Sequence, residues 1–121
     1  MQITQKNFYK KLLGRAGEKR AVDFLKKKGF KILKTNYKTL FGEIDIIAEE
    51  KGTIVFIEVK TRTSDSFGLP CEAVDKKKQE KYYKTAMFYL QKEKKTDSEC
   101  RFDVVEIENG QINHIFNAFG V

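Results

Sequence analysis

Gly42-Glu43-Ile44-Asp45-Ile46-Ile47-Ala48-Glu49-Glu50-Lys51-Gly52-Thr53-Ile54-Val55-Phe56-Ile57-Glu58-Val59-Lys60 is the stretch on which the fold turns. Two runs rich in β-branched and aromatic residues flank the polar Lys51-Gly52, the pattern of a β-hairpin closed by a two-residue turn. Pairing Glu50 with Thr53 sets Ile47 opposite Phe56, Asp45 opposite Glu58 and Glu43 opposite Lys60. Strand side chains alternate between faces. Ile44, Ile46, Ala48, Val55, Ile57 and Val59 therefore share one wholly apolar face, while Glu43, Asp45, Glu58 and Lys60 gather on the other.

Such a patch works against the sheet that carries it. Directly opposed side chains have Cβ atoms about 4.5–5.5 Å apart, and like charges placed there destabilise the pair. A divalent cation between the carboxylates of Asp45 and Glu58 turns that repulsion into attraction. Magnesium, with oxygen ligands at roughly 2.0–2.1 Å and several retained waters, suits two converging acids. Lys60 beside them can hold an anionic substrate oxygen or assist an attacking water. The competing reading is a solvated hairpin face with Glu43–Lys60 as a surface ion pair worth about 0–1 kcal/mol. A register slip of one residue would disperse the patch.

Outward from the hairpin, Phe8 to about Lys28 has helical spacing and Gly29 supplies the stop. Leu13, Gly17, Ala21, Phe24 and Leu25 fall on one side, and Glu18 shares a stripe with Gly14, Ala21, Val22 and Leu25. Gly14 and Gly17 each cost a helix about 1 kcal/mol relative to alanine, so close packing or the close approach of a ligand is expected there. Phe30 to Tyr37 reads as a first strand. Thr63 to Pro70 reads as a loop, and a second helix is expected from Cys71 to about Glu93. Its stripe of Val74, Lys78, Tyr82, Ala86 and Tyr89 brings Lys78 to the edge of the buried side. Arg101 to Ile107 and Gln111 to Phe116 are strands joined by the turn signal Asn109-Gly110. The order is α-β-β-β-α-β-β, an α/β chain of the α+β, mixed-sheet kind with helices against the sheet. Residues 1–121 are expected to form a single domain.

The chain has 24 Lys and Arg against 17 Asp and Glu, a net charge of +7, with 40% hydrophobic residues. That composition is globular, and the charge favours anionic polymers, chiefly nucleic acid. Lysines cluster at Lys26-Lys27-Lys28, Lys76-Lys77-Lys78 and around Lys92 to Lys95. The first residues are polar and basic, unlike a secretory signal, and no run of roughly 18 apolar residues exists. No membrane partner and a cytoplasmic location are expected. Cys71 and Cys100 lack zinc-ligand spacing, and both read as reduced structural thiols. His114, alternating with apolar neighbours, is expected to be exposed on its strand. Arg101 and Asp103 read as a structural ion pair.

Gly14-x-x-Gly17-Glu18, Gly42-Glu43-Ile44-Asp45, Glu58-Val59-Lys60-x-Arg62, Lys78-Gln79 and Arg101-Phe102-Asp103-Val104-Val105 together resemble the YraN family of small bacterial proteins. That family looks like a member of the PD-(D/E)xK, restriction-endonuclease-like superfamily, close to archaeal Holliday junction resolvases. The resemblance runs through nearly the whole chain in order. It implies an αβββαβ core, here followed by a C-terminal hairpin strand, and an endonuclease-like domain. Asp45 and Glu58 would be ligands of Mg2+ or Mn2+, and Lys60 would orient the nucleophilic water or stabilise charge on the phosphate. Glu18 would be a third acid from the first helix, with Lys78 and Gln79 lining the cleft. Ile44 stands where the superfamily pattern has proline.

The function expected is metal-dependent hydrolysis of DNA phosphodiester bonds, with branched or recombination intermediates among the candidate substrates. Lys77 and the other clustered lysines would hold the backbone by phosphate contacts, which position a duplex without reading its sequence. Arg62 would contact phosphate or pair with an acid. A homodimer would be a natural way to cut both strands. The alternatives are a non-catalytic nucleic-acid-binding module of the same fold, and an interaction protein whose acidic patch docks a basic partner.

Overall fold

The turn dipeptides set the hairpins. Lys51 and Gly52 have φ of 49° and 85°, and Asn109 and Gly110 have φ of 49° and 80°. Positive φ at both central residues gives the turn whose twist matches that of the flanking strands. The computed structural model describes residues 5–62 and 75–119, with side chains from residue 14 onward. The Thr63–Pro70 loop, Cys71 and Val74 lie outside the described residues, as does the Leu13 side chain.

The elements are α1 (Gln5–Lys27), β1 (Lys31–Lys38), β2 (Glu43–Glu50), β3 (Thr53–Arg62), α2 (Lys76–Lys92), β4 (Cys100–Glu108) and β5 (Gln111–Phe119). This is the expected order. The five strands form one mixed sheet in the order β1-β2-β3-β4-β5. Only β3 and β4 run parallel, with α2 in the crossover between them. The architecture is consistent with a restriction-endonuclease-like α+β core.

Both faces of the sheet are covered, and the alternation of β3 shows how. Ile54 and Phe56 point to the side where Tyr82, Ala86, Tyr89 and Leu90 of α2 pack, together with Phe102 and Val104. Val55 and Ile57 point to the opposite side, against Ala21 and Leu25 of α1, with Phe30, Val105 and Ile107. A strand buried on both faces reads as a continuous apolar run, as Ile54 to Ile57 does. Cys100 is a free thiol packed beside the α2-side core.

One small residue is explained by this packing. A Cβ at Gly17 would run into the Thr61 hydroxyl of β3, with Ile107 Cδ1 also in contact at 3.7 Å. Among the described residues nothing lies within 4 Å of a Cβ built at Gly14, so none of them requires a glycine there. Gly17→Val should therefore lower stability by about 1–3 kcal/mol, the usual cost of overpacking, read as a lower urea midpoint at unchanged m-value. Gly14→Ala should not.

Three expectations need correction. The second helix begins at Lys76, not Cys71: Asp75 is extended (φ −75°, ψ 174°) and its side chain caps the helix, Oδ1 accepting the Lys78 N–H at 2.8 Å. An aspartate N-cap satisfies one of the otherwise orphaned first-turn donors, so the start falls after it. The His114 side chain is only 3% exposed, because Asp103, Phe24, Phe30 and Phe116 enclose it. The third correction concerns Ile44. It packs with Ile47, Phe56 and Tyr82 on the α2 side, whereas Ile46 and Ala48 face α1. Alternation thus breaks at Asp45, opposite which Asn36 of β1 takes a left-handed φ of 52°.

Candidate functional site

The β2–β3 register is the one the turn dictates, Glu50 with Thr53 through Ile46 with Ile57. The ladder ends there, one step short of Asp45 and Glu58. Asp45 Oδ2 instead accepts the Val59 N–H at 2.9 Å, a side chain doing what the next backbone carbonyl would have done. Glu43 lies across from Lys38 of β1 rather than from Lys60.

Glu58 is the centre of the charged group. It is only 7% exposed, and its Oε1 accepts from Lys60 Nζ at 3.1 Å and from Lys78 Nζ at 3.0 Å. Lys60 comes from the same face of β3, two residues on. Lys78 reaches across from the first turn of α2, where Asp75 fixes the helix start, and its ammonium lies 5.8 Å from the Tyr82 ring centre. Asp45 and Glu58 open into one cavity of about 560 Å3, whose walls include Gly42, Glu43, Asp75, Lys77, Lys78, Lys81 and Tyr82.

The electrostatics follow from burial and crowding. Burial, then the neighbouring Glu58 charge, pushes Asp45 up to about 7; Glu18 and Glu43 add to the rise, and the Val59 N–H bond opposes it. Lys60 is held below the usual ammonium value, first by burial and then by the adjacent Lys78, against the pull of Glu58. Burial disfavours the charged Lys78 as well, but its contacts with Lys60 and Glu58 outweigh this and raise it. Two ammonium groups competing for one carboxylate oxygen split in this way because only one can be fully compensated.

The remaining candidates divide. Glu18 is half-buried on α1 and its charge is felt at Asp45. Lys77 lines the cavity; Gln79 and Arg62 are not among its lining residues. Arg62 pairs with an acid, its Nε 2.8 Å from Oε1 of Glu106, which is itself 6% exposed. Sequence reasoning missed Glu106, and also Lys81. Glu106 stands across from Lys60 in the parallel register, on the same face as Glu58, Lys60 and Val104. Its signal was a second carboxylate, after Asp103, within the otherwise apolar run Phe102 to Ile107.

A model of the Uncharacterised protein family UPF0102 matches residues 17–107, which take in Glu18, Asp45, Glu58, Lys60, Lys78 and Glu106. The chain belongs to the UPF0102 family. The resemblance to YraN proteins pointed to this family. UPF0102 relatives match along nearly their whole length. A UPF0102 protein of Persephonella marina is 48% identical over 106 residues, covering 88% of this chain and 91% of the relative. One from Caldanaerobacter subterraneus subsp. tengcongensis is 48% identical over 121 residues, covering 94% and 99%. One from Thermodesulfovibrio yellowstonii is 51% identical over 107 residues, covering 88% and 95%. In this UPF0102 chain, no helix among the described residues is long and apolar enough to cross a membrane.

Proposed function

We propose that this protein is a metal-dependent nuclease that hydrolyses phosphodiester bonds in DNA, branched or recombination intermediates included. The observation that carries the reading is the meeting of Asp45 and Glu58, from neighbouring strands, in one cavity, with the Lys60 and Lys78 ammonium groups both on Glu58 Oε1. A carboxylate pushed up to about 7 beside a second carboxylate is a site short of positive charge. Carboxylate oxygens are the donors that Mg2+ and Mn2+ take. Among the described residues no three His, Cys, Asp or Glu side chains are grouped to encircle an ion. Water and phosphate oxygens would therefore complete the shell, as magnesium commonly has it.

Asp45 and Glu58 would hold the ion, whose chemistry there is to acidify water and to offset charge on the phosphate. Lys60, on Glu58, is fitted to orient the attacking water or to stabilise charge on the phosphate. Lys78, which keeps its charge, is fitted to face the phosphate oxygens. Lys77 and Lys81 at the cavity wall would hold the backbone, and Arg62, its Nε paired with Glu106, would offer the rest of its guanidinium to phosphate. A homodimer would serve cleavage of both strands.

A second reading, a nucleic-acid-binding module without catalysis, is favoured by one feature: Lys60 and Lys78 already compensate Glu58. Incubation with flaps, junctions, single strands and plain duplex, in Mg2+, Mn2+ or EDTA, separates the two. The nuclease reading expects metal-dependent cutting that falls at least about 100-fold in both Asp45→Ala and Glu58→Ala, the scale of losing one preorganised electrostatic partner. Binding without cutting on every substrate and metal supports the module. Cutting that survives both substitutions rejects the site.

A further inference from the structure

The turn from β1 to β2, whose Gly42 lines the cavity of the acid pair, sets two large apolar side chains in water. Leu40 is fully exposed and Phe41 is 45% exposed. Single exposed apolar residues are ordinary. These two are consecutive, and the turn that presents them is held stiffly. The Thr39 N–H donates to Gly42 O at 2.8 Å, and the Gly42 N–H returns to Thr39 O at 3.3 Å. The Phe41 N–H donates to Thr39 Oγ1 at 3.1 Å, and that hydroxyl lies 3.4 Å from the Thr85 hydroxyl of α2. Thr85 is wholly buried and bonds Lys81 O at 2.8 Å. Gly42 itself backs onto α2, where a Cβ would meet Lys81 and Thr85 at 3.5 Å.

A tip fastened in this way has little ordering left to lose when it binds. Its surroundings say what it could bind. Gly42 and Lys81 line the cavity that holds Asp45 and Glu58, and α2 carries six lysines (76, 77, 78, 81, 84 and 92) against the single acid Glu80. The fitting ligand offers apolar faces and negative groups side by side. A nucleic-acid strand with unstacked bases does so, since every base has a face that aromatic and apolar side chains can cover. In a continuous duplex those faces are hidden within the stack.

We propose that the Leu40–Phe41 tip packs against unstacked bases beside the phosphate held at the acid pair, so that the site takes strands with unpaired bases in preference to continuous duplex. This rests on the nucleic-acid reading above. The test compares the full chain with Leu40→Ser/Phe41→Ser and with Phe41→Trp, each first checked by thermal melting. The probes are a continuous DNA duplex and the same duplex with a short unpaired stretch carrying 2-aminopurine, titrated by anisotropy in Ca2+ in place of Mg2+, with the probes checked for being intact afterwards. The wild type binds the unpaired probe about 10-fold more tightly, the scale of one stacked base, and 2-aminopurine emission changes on binding. The double substitution brings the ratio close to one and abolishes the emission change, while Phe41→Trp retains both. Equal binding of the two probes by the wild type, or a ratio untouched by the double substitution, overturns the role of the tip alone. The latter result would leave the tip to an apolar pocket on a protein partner. If no form binds either probe, the nucleic-acid reading falls and this proposal falls with it.

Discussion

Asp45→Asn makes the protein more stable above pH 7, not less. In the unfolded chain Asp45 titrates near ~3.9; in the fold, burial and then Glu58 push it up to about 7. Between those values the folded state binds more protons than the unfolded state, so stability falls as pH rises through the window. One pKa unit is about 1.4 kcal/mol, which makes the full effect at pH 8 about 4 kcal/mol. Asparagine carries no charge, and its Oδ1 can still accept the Val59 N–H. Urea unfolding of the two proteins should therefore differ by that amount at pH 8 and converge near pH 4. Millimolar Mn2+ should recover stability in the wild type by mass action and leave Asp45→Asn unmoved. Parallel pH profiles would mean that neither burial nor Glu58 raises Asp45, and this support for a metal there would be gone.

The second large effect lies away from the cavity. Asp103 is fully buried and accepts from Arg101 Nε at 3.0 Å, His114 Nε2 at 2.8 Å and the Asn117 N–H at 2.9 Å. Burial alone would raise its pKa, but the bonds from His114, Arg101 and Asn117 prevail and hold it below the usual carboxylate value. Lys28 Nζ sits 3.1 Å from His114 Nδ1. A lysine ammonium only donates, so Nδ1 accepts and Nε2 carries the proton given to Asp103. Arg101 also reaches Glu50 at 3.1 Å, which ties β4 to β2 across β3. Asp103→Ala leaves a half-buried guanidinium and a buried imidazole short of their acceptor, and such a loss costs about 3–5 kcal/mol. Urea denaturation should show it. A loss under about 1 kcal/mol would mean that water enters and replaces the carboxylate.

Much of the site was legible because hairpin register is a local property. Lys51-Gly52 fixes the turn, the turn fixes the pairing, and the pairing carries Asp45 toward Glu58 and Lys60. Lys78 was legible for a similar reason, since helical spacing from Tyr82, Ala86 and Tyr89 places it at the edge of the buried stripe. What failed shares one cause. His114 looked exposed because alternation within β5 says nothing of Phe24, Phe30 and Asp103, which come from other elements. The partner of Arg62 was hidden because Glu106 meets it only through the parallel pairing of β3 with β4, with α2 in between.

Amino-acid order by itself settled the succession of helices and strands, both hairpin turns and the family, since each depends on neighbours a few residues apart or on a linear motif. Tertiary structure alone decided that Ile44 changes face at Asp45, that Asp45 bonds the Val59 amide, and that Lys60 and Lys78 share one oxygen of Glu58. Those contacts join residues distant in the chain. They exist only once packing on both faces of the sheet has fixed where each backbone runs.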